Sequence, residues 1–186
     1  MADTYRAAIP YESLDPLTIG AADDESKIYR EELELEIPSE NLLAAFYPEE
    51  PDPVPDATAA AREALESPVS GPRFSELLAG VSSVCVIIDN QFRPTPSSKL
   101  LPPVLDAIED AGIGDACVVT ANGKVFPLSE SDVEQKVGRQ NLERMERMGI
   151  PLFQNEPRNE DAYSYIGVSS RGTPVWLHNE VARREL

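Results

Sequence analysis

The sequence predicts an α/β protein: a Rossmann-like layered sheet, mostly parallel, with helices on both faces and an extended acidic N-terminal arm. Three observations carry this reading. Residues 84–88 (Val-Cys-Val-Ile-Ile) and 116–120 (Ala-Cys-Val-Val-Thr) are continuous apolar runs rich in β-branched residues, as expected of parallel strands covered on both faces. Between them Leu100, Leu101, Val104, Leu105 and Ile108 recur at helical spacing, so strand, helix and strand make a βαβ unit. The third observation is the charge. The chain has 186 residues with 33 acids against 16 bases, a net −17, and residues 1–60 hold 15 of the acids and only 3 of the bases. The division expected is an arm over residues 1–32 followed by one α/β domain over residues 33–186.

The elements follow in order. Residues 1–30 show no clear period and read as an extended or flexible arm. Leu33, Leu35 and Ile37 alternate with Glu34 and Glu36, the period of a half-buried strand ending at Pro38. Pro48, Pro51, Pro53 and Pro55 form a stiff, extended connector. Asp56 is suited to cap a helix carrying Ala60, Ala64 and Leu65 that stops near Pro68. Phe74, Leu77 and Leu78 predict a short second helix ended by Gly80. Pro102 and Pro103 are placed in the first turns of the central helix, where a missing N–H is tolerated, and Gly112 closes it. Ser129 opens a helix reaching Gly138, and Leu142, Met145 and Met148 mark another before Gly149. Residues 150–153 read as a third strand, and residues 167–178 as a loop or hairpin with Val175, Trp176 and Leu177 buried.

Composition excludes several function classes. Apolar residues at 41% and charged residues at 26% are ordinary for a folded domain, so wholesale disorder is excluded. A polyanion repels phosphate backbones and anionic lipid, which argues against nucleic acid and membrane partners. No apolar run approaches the ~20 residues that span a bilayer, and the first residues lack the order of a signal peptide, so a cytoplasmic protein is expected. With four lysines against twelve arginines, the acid excess admits two readings: an interaction tail, or the habit of a salt-rich, halophilic cytoplasm. Cys85 and Cys117 read as small core hydrophobes, and the single histidine, His178, argues against a histidine-rich metal site.

Ligands of an open parallel sheet bind beyond the carboxyl ends of its strands. Two loops leave strand ends here: residues 89–98, with Asp89, Asn90, Arg93 and Thr95, and residues 120–127, with Asn122, Gly123 and Lys124. Arg93 presents a planar fork for a carboxylate or phosphate, with Pro94 and Pro96 stiffening the backbone. Thr95, Ser97 and Ser98 precede a helix N-terminus, Gly123 permits close backbone approach, and Lys124 adds a second cation. Alternatively Arg93 pairs with Asp89 or another surface acid and the prolines only cap a helix. Lys124 is a plain cation or, if desolvated, a base. His178 is a satisfied structural or surface histidine, or a functional one. No nucleophile elbow or Walker loop appears.

From Ile37 to the C-terminus the sequence resembles the N-terminal domain of the nickel-dependent lactate racemase family. Residues 37–42 resemble its opening strand and turn, and residues 64–69 its "A-L-x-x-P-I". Residues 90–96 (Asn-Gln-Phe-Arg-Pro-Thr-Pro) resemble its "D-x-T-R-P-x-P", and residues 121–127 (Ala-Asn-Gly-Lys-Val-Phe-Pro) its "A-T-G-x-H-R-P". Residues 167–182, with Gly172, Pro174, Val175 and Asn179, resemble the closing segment. The resemblance implies a 2-hydroxy acid racemase or epimerase. A nickel pincer nucleotide tethered to a lysine takes a hydride there, while a histidine takes the hydroxyl proton. It implies that Arg93 positions substrate or cofactor and that Gly123 belongs to the second loop. The sequence departs from the pattern at the acid, where Asn90 stands beside Asp89, and at the catalytic histidine, where Val125 stands. Val125 cannot accept a proton. The family's metal ligands and tethering lysine lie in a later domain, so this chain is expected not to hold the nickel cofactor alone. The resemblance thus implies an N-terminal domain binding a small 2-hydroxy carboxylate or a nucleotide phosphate. It would be incomplete without a separate cofactor domain or chain. The alternative is a non-catalytic binding or regulatory subunit that docks on a protein partner.

Overall fold

The computed structural model describes residues 3–14, 28–46, 52–123 and 127–186. They fall into two compact units, Met1–Pro53 and Val54–Leu186. The division lies at the proline-rich connector rather than after residue 32.

In the first unit β1 (Thr4–Leu14) pairs antiparallel with β2 (Ile28–Pro38). Within the extended or flexible arm expected of residues 1–30, residues 4–14 form the paired strand β1, and residues 15–27 lie outside the described residues. Its register sets Tyr5 opposite Ile37, Ala7 opposite Leu35 and Ile9 opposite Leu33. The apolar alternation of β2 is thereby matched residue for residue on one face. On the other face the Arg6 guanidinium donates from Nε to Glu36 at 3.1 Å. Pro48 and Pro51 of the connector lie outside the described residues.

The second unit is built on a parallel three-stranded sheet in the order β3 (Ser83–Asp89), β4 (Asp115–Ala121), β5 (Leu152–Gln154). The helices are α1 (Ala57–Glu66), α2 (Phe74–Leu78), α3 (Ser97–Asp110), α4 (Glu130–Val137), α5 (Arg139–Met148) and the short α6 (Asn179–Ala182). An antiparallel ribbon, β6 (Tyr163–Val168) with β7 (Pro174–His178), precedes α6. Only the central sheet is parallel, so "mostly parallel" holds for it and not for the two ribbons.

Local chemistry explains the helix ends. The Asp56 carboxylate accepts from the Thr58 and Ala59 N–H groups, the expected N-cap of α1. Ser129 and Asp132 form a reciprocal capping box at α4. Gly138, at φ +86°, joins α4 to α5, and a Cβ there would stand 3.1 Å from the Ser98 Cβ, so the joint lies tight against α3.

The core lies on one face of the sheet, where Leu101, Leu105 and Ile108 meet Val84, Ile88, Ala116 and Val118. That burial drives the unit, at roughly 25 cal/mol per Å² of apolar area removed from water. On the opposite face Cys117 and Val119 are buried as well, so β4 is covered on both sides as expected, whereas β3 is not: its Ile87 is 56% exposed. Short α6 and the Arg184 beyond it lie on that side, close enough to act electrostatically on Cys85 and Cys117. Pro102 and Pro103 sit in the second turn of α3, among its first turns as expected. Two further corrections concern placement. The third strand begins at Leu152 because Pro151 cannot donate to the ladder. Trp176 is 57% and Leu177 38% exposed, because the ribbon turns that stretch outward, with Trp176 stacked on Tyr165.

At the free edge of β3, Leu186 donates its N–H to the Ser83 carbonyl at 3.3 Å and accepts from the Cys85 N–H at 2.7 Å. This is one rung of a parallel ladder.

Candidate functional site

Because β3 and β4 run parallel with Asp89 opposite Ala121, the two loops singled out above leave the same sheet edge side by side. In the first loop the Asn90 side chain accepts from the Phe92 N–H at 3.1 Å and its carbonyl from the Arg93 N–H at 3.2 Å, a tight turn. The Thr95 hydroxyl donates to Asp89 Oδ2 at 2.5 Å. Asp89 also pairs with Lys136 of α4, Nζ to Oδ1, at 2.6 Å. Burial on its own would raise the Asp89 pKa, but the hydrogen bonds from Lys136 and Thr95 and the lysine's charge prevail and hold it below its ordinary value. The expected alternative of Arg93 pairing with Asp89 therefore does not arise: Lys136 has taken that carboxylate. Arg93 is exposed, and its guanidinium has no partner among the described residues.

The second loop opens with Asn122, 1% exposed. Its amide donates to Gln154 Oε1 and to the Asn155 carbonyl, both at 3.3 Å, while its own Oδ1 is buried and without a partner. Gly123 follows at φ +60°, and its carbonyl accepts from Asn155 Nδ2 at 3.4 Å. Lys124 and Val125 lie outside the described residues. Leu128 is held by a two-point clamp: its N–H donates to Gln154 Oε1 at 2.6 Å, and its carbonyl accepts from Gln154 Nε2 at 3.0 Å.

The structure thus brings Asp89, Asn90, Arg93 and Thr95 together in one loop, beside Asn122 and Gly123. Asp89 and Thr95 are spent on holding that loop, and Asn122 on tying β4 to β5. Arg93 is left facing solvent. The sequence reading missed Lys136 and the carboxamides Gln154 and Asn155. The one signal for Lys136 was its spacing four residues after Asp132, beside Val137, on the inward face of α4.

His178 does not stand with Arg93. It ends β7, its Nδ1 accepts from the Glu180 N–H at 3.2 Å, and its ring meets Tyr163 edge-on at 6.0 Å. It lines a cavity of about 440 Å³ beside β5 with Phe153, Glu156 and Asn159. The two cysteines face each other in register across β3 and β4. Burial, and then the neighbouring Cys117, push the Cys85 thiol up to about 12, so it is no nucleophile at neutral pH. Among the described residues no three His, Cys, Asp or Glu side chains stand together so as to hold a metal ion. This residue set therefore does not fit a nickel ion.

The parallel sheet and its paired loops, with an unpaired arginine at their mouth, define an α/β domain with the two loops at one sheet edge. The lactate racemase N-terminal domain family matches residues 29–186, and the chain belongs to that family. Among solved structures it is similar to the lactate racemase apoprotein from Thermoanaerobacterium thermosaccharolyticum. The TM-score is 0.69 at 20% identity, covering 83% of this chain and 35% of that one. The chain thus spans about a third of the length of that racemase. A protein from Thermotoga maritima matches at TM-score 0.48 and 17% identity, over 64% of this chain and 29% of its own. No curated protein sequence matches. No helix among the described residues is long and apolar enough to cross a membrane.

Proposed function

We propose that this chain is the substrate-side part of a 2-hydroxy acid racemase or epimerase, completed by a separate domain or chain that carries the cofactor. The observation that carries the reading is Arg93: an unpaired guanidinium on a tethered loop at the ends of two parallel strands, in a chain of net charge −17. At the carboxyl ends of two parallel strands, where open sheets bind their ligands, such a free guanidinium fork suits an external oxyanion. A small 2-hydroxy carboxylate or a nucleotide phosphate supplies it. The chain's own task is to hold that anion by a two-point contact and orient it.

The test is reconstitution. The chain is purified alone and with a cofactor-bearing lactate racemase C-terminal domain, and the optical rotation of D- and L-lactate is followed. Turnover only in the mixture is expected. No turnover in the mixture, with Val125→His introducing none, overturns the racemase reading.

A second reading, a non-catalytic regulatory subunit, draws on Val125 at the family's histidine position. It predicts that the chain binds a complete lactate racemase and changes its rate without turnover of its own.

A further inference from the structure

We propose that Lys136 is the positioning residue that sets the Arg93 guanidinium for its anion; the proposal rests on the anion reading of that site. Lys136 is charged yet only 8% exposed. A buried ammonium is costly unless its protons find acceptors and its charge a partner. Here the Arg93 carbonyl accepts from Nζ at 2.9 Å and the Thr95 carbonyl at 3.0 Å, and the Asp89 carboxylate supplies the counter-charge, Oδ1 lying 2.6 Å away. All three groups belong to the one loop.

Two consequences follow. The first is mechanical. The peptide carbonyl of Arg93 is itself tethered, so the backbone bearing the guanidinium cannot swing away without breaking a charge-assisted bond. The bonds within residues 89–95 only close the turn on itself, whereas Lys136 fastens it to α4. That helix is in turn placed by its Ser129–Asp132 capping box and by the clamp of Gln154 on Leu128. A loop ordered in advance spares the anion the entropy of ordering it. The second consequence is electrostatic. By occupying Asp89, Lys136 keeps the acid nearest in the loop from capturing Arg93. Without the lysine, Asp89 is the competitor of any external oxyanion.

The experiment measures binding of L-lactate and, separately, adenosine monophosphate to the full chain at fixed ionic strength, with hydrogen exchange of the loop amides as a second readout. The two ligands distinguish a carboxylate from a phosphate occupant. Lys136→Met is expected to weaken binding about tenfold or more and to speed exchange at residues 92–95, with β4 amides unchanged. Adding Asp89→Asn removes the competing charge and is expected to recover binding about threefold, which a purely structural lysine would not produce. Equal binding by wild type and Lys136→Met overturns the proposal and leaves the anion reading standing. If wild type binds neither ligand, the anion reading itself falls and takes the proposal with it. Should Lys136→Met lose β4 protection, Asp89→Asn alone decides: unchanged exchange at residues 92–95 then overturns the proposal.

Discussion

The Asn141 side-chain amide donates at 2.8 Å to the carbonyl of Ser98, the acceptor that Pro102 leaves without an intrahelical N–H. The next proline is answered in the same way. Pro103 strands the Lys99 carbonyl, and the Thr58 hydroxyl of α1 donates to it at 2.8 Å. Two prolines inside α3 are thus tolerated because neighbouring helices return the lost donors. In doing so they stitch α1 and α5 to the helix whose first turn borders the candidate site.

Asn141→Leu leaves the Ser98 carbonyl unsatisfied, and also that of Val137, which Asn141 reaches at 2.7 Å. A loss of about 2–3 kcal/mol is expected from the urea midpoint. Pro102→Ala restores the missing N–H. In a double-mutant cycle it is therefore expected to soften the Asn141→Leu penalty, and strict additivity would show that the two residues are not coupled.

Acid sensitivity follows from Asp89 and Asp106. For Asp106, as for Asp89, burial alone would raise the pKa, but hydrogen bonds from Arg62 and Arg144 prevail and lower it. A carboxyl whose folded pKa is depressed contributes stability above its unfolded value, near 3.9, and that stability is lost as pH falls through the folded value. Stability is expected to decline below about pH 4. Asp89→Asn and Asp106→Asn are each expected to flatten that decline while lowering stability at pH 7. An unchanged acid slope in both variants would contradict the assignment.

Arg93→Ala removes an exposed side chain that supports nothing else in the fold. The urea midpoint is expected to stay within about 0.5 kcal/mol of wild type while lactate or adenosine monophosphate binding is lost. Added salt is expected to weaken wild-type binding, as screening demands.

The net charge of −17 sets up self-repulsion in dilute buffer. The melting temperature is expected to rise as potassium chloride is raised from about 0.1 to 1 M, where the screening length shrinks to ~3 Å. A flat or falling curve would remove the halophilic reading of the composition and favour the interaction tail.

Much of this architecture was legible because its signals are local. Asp56, Ser129, Gly112 and Gly149 mark helix ends through caps a few residues long, and the apolar runs of β3 and β4 need no partner to be read. The strand β1 was missed because Ala7 and Pro10 blunt its alternation, and only the register against Leu33, Leu35 and Ile37 makes it a strand. The outward Trp176 was misread because an apolar triplet on a two-stranded ribbon says nothing of which face is covered. At the site, loop 89–98 was legible from Arg93 between its prolines, but its partner was not. Lys136 stands 43 residues from Arg93 in sequence, and no period connects them.

By itself the sequence determined the βαβ order, the helix ends, the concentration of acid in the first 60 residues and the two loops at strand ends. These depend on hydrogen bonds and apolar spacing within a turn or two of chain. Tertiary structure alone decided which cation is buried and which is free. Burying an ammonium requires acceptors and a counter-charge at once, and only the packing of α4 against loop 89–98 brings Asp89 and the carbonyls of Arg93 and Thr95 around Lys136. That packing is what leaves Arg93 without an internal partner.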